Sequence, residues 1–484
     1  MSSVKVNYVL QLANTAAQML FPLLTFPYAC RIVGADGIGL VSWFDSIASY
    51  IILFVNLGIP IYAIREIARV RSDSEALNRT SAEIFALHTL LSLLGLVAVA
   101  VVLMVVGEVR AHVPIFLIVC SSMIFNVIGC EWFFLGTEDF KYITIRGLAV
   151  KVIAVALLFL LVRTSDDLVY YAIYTVVGAV GGNVFNFFRI RRKAPQVGTR
   201  WRGLDLRRHL APTFEAFSFT LVISIYLRLN VILLGFMQSA AAVGLYAAAT
   251  KLLTVFKMLP KVLGDVMMPR MSSLVAAGHA DEVRSLLQKS YDFTLLTVFP
   301  LVIFLVAVAP NAIALLCGHE FLPATTAARI VALVMLFSAI TNVIGMQTLY
   351  PKGLFRIVVW SCAIGAVGDL IASLVLVPHF SYNGAAVAFL IAEILVAIAQ
   401  VSMGWRFIPF RFLMRRHVSI FAAAAAMTAV SAALLRIDFG GDFTAIAVVG
   451  GAGFVAYGVV LLIAKDPLVA EVLRLAGSLI RRIR

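Results

Sequence analysis

Residues 25–69 read TFPYACRIVGADGIGLVSWFDSIASYIILFVNLGIPIYAIREIAR, and the fold turns on this stretch. One apolar run ends near Cys30, and Gly34, Gly37 and Gly39 mark a tight reversal. A second apolar run follows from Ile38 to Ile64, with a basic exit at Arg65 and Arg69. A membrane span needs about 20 consecutive apolar residues, so the pattern predicts a transmembrane hairpin. Asp45 and Asn56 lie inside it. Hydrocarbon does not solvate such groups, which therefore face a protein interior or a watery cavity.

The rest of the chain has the same solvent. Of 484 residues, 62% are hydrophobic and 13% charged, where a soluble domain carries roughly a quarter charged. The formal net charge of +14 would suit nucleic acid, but the arginines cluster in short segments between apolar runs. They read as an orientation signal, and no nucleic-acid partner is expected. Cys30, Cys120, Cys130, Cys317 and Cys362 fall in or beside apolar runs without a CxxC pair, which argues against disulfides and metal sites. The first apolar run lacks a small-residue cleavage site and is expected to be an uncleaved span.

Fourteen apolar runs are long enough to cross a bilayer, near 7–30, 38–62, 82–107, 113–136, 143–162, 168–188, 210–237, 241–268, 291–316, 325–350, 355–377, 383–404, 418–435 and 443–464. All are expected to be helices, because an open strand leaves backbone groups unsatisfied in lipid. With both termini cytoplasmic, 29 of the 39 Lys and Arg fall on the inner side and only Arg31, Arg110, Arg163 and Arg436 on the outer. That asymmetry predicts the orientation. The longest inner segment, Arg189 to His209, is a basic connector near the middle of the chain. It suggests a helix bundle over 1–195, a second over 196–404, and two extra spans with a basic tail over 405–484. Gly37-Ile38-Gly39-Leu40 and Val243-Gly244-Leu245-Tyr246 open corresponding spans, a short match of the kind that parallel repeats produce.

Six cations remain inside the spans: Lys151, Arg228, Lys251, Lys257, Lys261 and Arg329. Each costs a few kcal/mol unless paired or hydrated. Taking Lys251 as zero, Lys257, Lys261 and Asp265 fall at about 240°, 280° and 320° on a helix, one face about a third of its circumference. Pro260 is expected to kink that face. Lys261 and Asp265 are near enough to the cytoplasmic end to reach headgroups, whereas Lys251 lies about 15 Å deep. Arg228 is at similar depth and is expected either to pair with an intramembrane carboxylate such as Glu215 or Asp369 or to meet a ligand directly. Asp45 is expected to pair with a lysine, couple to a proton or bond a neighbouring helix, with pairing preferred. Glu83, Glu131 and Asp292 lie close to loop arginines, and Lys151 and Arg329 are close enough to an end to snorkel. Glu393 and Gln400 share a helix face, and His88 is expected to be packed.

A net positive interior suits an anionic cargo, and a diphosphate foremost. No Walker loop, HExxH, GxSxG or dinucleotide fingerprint occurs, so ATP-driven and hydrolytic chemistry have no support, and no cofactor is expected.

The opening stretch resembles the N-terminal signature of the Wzx-type polysaccharide repeat-unit flippases of the multidrug/oligosaccharidyl-lipid/polysaccharide exporter superfamily. The resemblance rests on Pro27-Tyr28, Arg31, Val33-Gly34, Gly37 to Leu40, Leu57-Gly58-Ile59-Pro60 and Ile64-Arg65-Glu66-Ile67-Ala68. Further matches lie at Leu234-Gly235, Val243 to Tyr246 with Lys251, and Tyr382 to Ala386; Asn230 departs from an expected acidic residue. The resemblance implies an all-α polytopic protein with fourteen spans in two parallel, pseudo-symmetric bundles, MATE-like and MurJ-like in architecture. It also implies alternating access and an undecaprenyl-diphosphate-linked oligosaccharide as cargo, moved to the periplasmic leaflet of a bacterial inner membrane for O-antigen, capsule or exopolysaccharide assembly. A polysaccharide polymerase and a chain-length regulator would be partners, and an H+ or Na+ gradient or the membrane potential would drive the cycle. On this reading Arg31, Arg228, Lys251, Lys257 and Lys261 meet the head group, and Asp45 or Asp369 balances them when no cargo is bound. A lipid II flippase shares the diphosphate cargo and stays open as an alternative. A cation-coupled drug antiporter should have a more acidic interior, and a membrane polymerase should have larger loops.

Overall fold

A computed structural model describes residues 4–199 and 201–466, and every described element is helical. The chain divides into two compact units, Met1–Gly244 and Leu245–Arg484. The first holds α1 (Val4–Asn56), α2 (Ile59–Val70), α3 (Ser74–Val105), α4 (Gly107–Ala111), α5 (Val113–Gly129), α6 (Glu131–Gly136), α7 (Phe140–Leu161), α8 (Leu168–Val180), α9 (Gly182–Lys193) and α10 (Arg207–Met237). It also takes the first turn of α11 (Ala240–Ala276). The second unit has the rest of α11 with α12 (Ala280–Cys317), α13 (Thr325–Asn342), α14 (Phe355–Gly404), α15 (His417–Leu434) and α16 (Asp442–Ile463). Among the described residues ten helices are long and apolar enough to cross a membrane, and two shorter apolar stretches lie at Arg228–Met237 and Ala240–Thr254.

The 53 residues of α1 would run about 80 Å if straight, far beyond the roughly 30 Å of hydrocarbon. The helix breaks at Gly34, whose φ of 72° favours a residue without a Cβ. Of the three glycines expected to make the reversal, only this one leaves the helix. Gly39 serves packing instead: a Cβ there would stand 1.7 Å from the Ala240 carbonyl oxygen, and one on Gly244 would stand 2.0 Å from that of Ala35. The second segment of α1 and the first turn of α11 therefore touch backbone to backbone. In lipid, where water cannot drive helices together, such close approach is a main source of cohesion.

The second apolar run also ends earlier than expected. The chain leaves the helix at Leu57 and Gly58, both with positive φ, and α2 begins as a separate amphipathic helix. Its buried face is Ile59, Tyr62, Ala63 and Ile67, packed on Ile84, Phe133, Phe134 and Ile190. His88 Nε2 donates to Asn56 Oδ1 at 2.9 Å, so that histidine is packed and partnered. A second long helix, α14, breaks at Ser381 with φ 50°.

Candidate functional site

Charges inside apolar helices should be partnered, and each unit holds one such ion pair among its described residues. In the first, Arg228 on α10 donates from Nη1 to Asp45 Oδ2 on the second segment of α1 at 2.6 Å. The Arg228 and Asp45 side chains keep 44% and 52% of their surface open, so the pair is accessible rather than sealed. Farther along α10, the Trp43 ring meets Phe236 edge-on at 5.2 Å, and Gly235 leaves the room its indole occupies. Together these contacts hold α10 along the second segment of α1. The preference of Asp45 for a lysine is corrected to an arginine, and Arg228 takes an intramembrane carboxylate, Asp45, other than the examples Glu215 and Asp369. Arg31 is exposed, three residues before the break at Gly34.

In the second unit, Lys257 Nζ on α11 lies 3.6 Å from Glu393 Oε1 on α14, and 5.5 Å from the centre of the Phe389 ring one turn earlier. Glu393 and Gln400 are both buried on α14, as their shared face predicts. Gly345, in the π-helical stretch Val343–Leu349, leaves space for the Gln400 amide. Beside it Ser290 Oγ donates to Gln347 Oε1 at 2.6 Å, and Gln347 Nε2 donates to Asn342 Oδ1 at 3.3 Å. Asp369 is fully buried on α14, and Lys251 is half-buried on α11. The side chains of Lys261, Asp265 and Pro260 lie outside the described residues.

Acids near the helix ends pair with arginines at or beside helix ends, as expected, though most of those arginines lie on helices and not in loops. Glu83 pairs with Arg79 and Arg208, Glu131 with Arg146, and Asp292 with Arg416. Arg329 Nε donates to the Val306 carbonyl at 3.2 Å. Lys151 Nζ is shielded and has no hydrogen-bond partner among the described residues, which does not fit the expected reach to an end. In the loop before α7, burial alone would raise the Asp139 pKa, but hydrogen bonds from Lys193 and Arg189 outweigh it and hold the carboxyl below its usual value.

Sequence reasoning missed Glu393 as the partner of Lys257, although it marked both as facing something polar. Helical spacing shows which residues share a face but not which helix lies opposite.

Two family models match the chain. The one described as polysaccharide biosynthesis protein covers residues 5–275, and the one described as lipid II flippase MurJ covers residues 145–449. A protein of Escherichia coli (strain K12) named "Putative O-antigen transporter" is 24% identical over 404 residues, 81% of this chain and 95% of that protein. One of the same name from Shigella dysenteriae is 24% identical over 396 residues, covering 81% and 98%. Among solved structures, an inward closed lipid II flippase MurJ matches with TM-score 0.73 at 13% identity, covering 96% of this chain and all of that one. An inward-facing multidrug resistance MATE family transporter of the MOP superfamily matches with TM-score 0.61 at 12% identity, covering 81% and 98%. At these identities the two structures speak for the fold alone.

Proposed function

The chain belongs to the polysaccharide biosynthesis protein and lipid II flippase MurJ families, and on that premise we propose that it is a flippase for undecaprenyl-diphosphate-linked glycan repeat units. Cargo moves by alternating access from the cytoplasmic to the periplasmic leaflet of a bacterial inner membrane, for O-antigen, capsule or exopolysaccharide assembly. Counting the broken helices α1 and α14 twice, α5–α6 and α8–α9 as one span each, and α10 and α11 once each gives the fourteen spans of this reading, with both termini cytoplasmic. Its functional division is a bundle over 1–195, a second over 196–404 and two further spans with the tail over 405–484.

The observation that carries the proposal is the open Arg228–Asp45 pair midway along membrane helices. A half-exposed ion pair at that depth is tolerated only beside water or polar cargo. Arg228 offers a planar fork of donors suited to phosphate oxygens, and Arg31, Lys251, Lys257 and Lys261 add positive charge along the path. Asp45, and in the other unit Asp369, balances that charge between turnovers. The polyprenyl tail stays in lipid. Carrying two negative charges outward against an inside-negative potential is favourable by about 2.3 kcal/mol per charge per 100 mV. A coupled H+ or Na+, or return of the empty carrier, completes the cycle, and a polymerase and chain-length regulator take up the product.

The test is reconstitution of the full chain in liposomes, with lipid-linked oligosaccharide in one leaflet. Arg228→Ala and Lys251→Ala are each expected to slow translocation about tenfold or more, a barrier change of roughly 1.4 kcal/mol. Unchanged rates in both would overturn the site assignment. The match to the lipid II flippase model over residues 145–449 supports a second reading, lipid II as cargo. Faster transport of lipid II than of an oligosaccharide unit would select it.

A further inference from the structure

The tripeptide Arg-Arg-His occurs at 207–209 and again at 415–417, at the start of α10 and of α15. In the first unit His209 is buried, and its Nε2 lies 3.1 Å from Glu83 Oε2 on α3, 126 residues earlier. Arg208 pairs with the same carboxylate. In the second unit His417 is buried, and its Nε2 lies 2.8 Å from Asp292 Oδ1 on α12, 125 residues earlier. Arg416 pairs with that carboxylate in turn. From His209 to His417 is 208 residues (417 minus 209), and from Glu83 to Asp292 is 209 (292 minus 83).

The two sites agree in finer detail. Nδ1 of His209 lies 2.7 Å from the Tyr62 hydroxyl, and Nδ1 of His417 accepts the Met414 backbone N–H at 3.2 Å. At His417 the Met414 N–H makes Nδ1 the acceptor, so Nε2–H donates to Asp292, whereas Nε2 of His209 meets both Glu83 and the Arg208 Nε–H, the latter at 3.2 Å. Each carboxylate also has a donor one turn before it, Arg79 Nε at 3.1 Å and Gln288 Nε2 at 2.9 Å, and a buried serine two residues before it, Ser81 and Ser290. The loop entering each helix is tied to the same place. The Asp205 backbone N–H donates to Glu83 at 3.1 Å, and that of Arg411 donates to the Gln288 side chain at 2.8 Å.

We propose that these are one device used twice: a carboxylate clamp that fixes the helix following each half to that half and stays closed during transport. By this correspondence α15 is to the second unit what α10 is to the first, the opening helix of a further, incomplete repeat rather than an appendage. Glu83 and His209 are positioning residues for α10, and through it for Arg228; Asp292 and His417 position α15. The physical reason for permanence is burial. A carboxylate with no exposed side-chain surface cannot lose its cation and imidazole without being left as an uncompensated buried charge.

Amide hydrogen exchange on the full-length protein in lipid nanodiscs tests this without reference to cargo. In the wild type, residues 211–216 and 421–426 should be protected to within about tenfold of the clamped segments of α3 and α12. His209→Ala should raise exchange over 211–216 about tenfold or more and leave 421–426 unchanged, and His417→Ala should do the reverse. Glu83→Asp and Asp292→Glu, which keep the carboxylate, should stay near the wild type, whereas Glu83→Gln and Asp292→Asn should exchange like the histidine variants. Wild-type helix starts that exchange a hundredfold faster than α3 and α12, histidine variants that change nothing, or effects that spread equally to both units would each overturn the proposal.

Discussion

Asp45 and Arg228 are 183 residues apart in the chain and 2.6 Å apart in space. Removing one partner of an ion pair at membrane depth leaves the other uncompensated. Asp45→Asn should therefore tighten binding of undecaprenyl diphosphate several-fold while Arg228→Ala weakens it, measured as quenching of the tryptophan fluorescence to which Trp43 contributes. Equal affinities in both variants would disconnect the pair from the anion. At Asp139 the sign of a pH effect follows from its lowered pKa, set by burial opposed by stronger bonds from Lys193 and Arg189. A depressed carboxyl pKa stabilises the fold above the unfolded-state value of about 3.9, and the contribution is lost as pH falls through the folded value. The melting temperature of Asp139→Asn should thus lie below the wild type at pH 7, with the gap closing in acid. These residues were visible in the sequence as charges out of place, but their partners were not. A pairing across 183 positions depends on which helix faces meet, and nothing local to Asp45 encodes that.

At the scale of elements, the glycines divide into those that turn the chain and those that let it touch. Gly58 does both: its φ is 74°, and a Cβ would stand 2.4 Å from the Phe217 backbone nitrogen on α10. Gly58→Ala should cost about 1–3 kcal/mol from the backbone conformation alone. The cost should appear as a lower melting temperature in detergent. Gly39→Leu should be worse, since the obstruction is the Ala240 carbonyl and not a side chain that could swing aside. A melting temperature equal to the wild type would show that α1 and α11 do not rely on this contact. The hydropathy pattern revealed that helices existed here and roughly where they ended. It placed the end of the second run several residues late, because Leu57 and Gly58 break the helix inside a stretch that stays apolar through Ile64.

For the whole molecule, the repeated clamp makes a prediction about length. Ending the chain at Phe410 removes α15, α16 and both Arg416 and His417, so Asp292 would be buried without its ion partners. Such a truncation should lower the melting temperature of the second unit, and Asp292→Leu in the truncated chain should recover part of the loss. The basic bias of the inner segments predicts cytoplasmic termini, which labelling of single cysteines at residues 2 and 484 from either side of the membrane would check. By itself the sequence determined the class of solvent, the helical content and the family, because apolar run length, charge asymmetry and short motifs are written along the chain. It also carries the repeated Arg-Arg-His at 207–209 and 415–417, whose meaning is hidden among the other basic residues of the inner segments. Only the tertiary structure decided that Arg228 meets Asp45, that Lys257 meets Glu393, and that two histidines 208 residues apart close the same clamp (417 minus 209). Helical periodicity fixes the direction of a side chain relative to its own axis, whereas a contact also needs the position and rotation of a second axis, which packing alone sets.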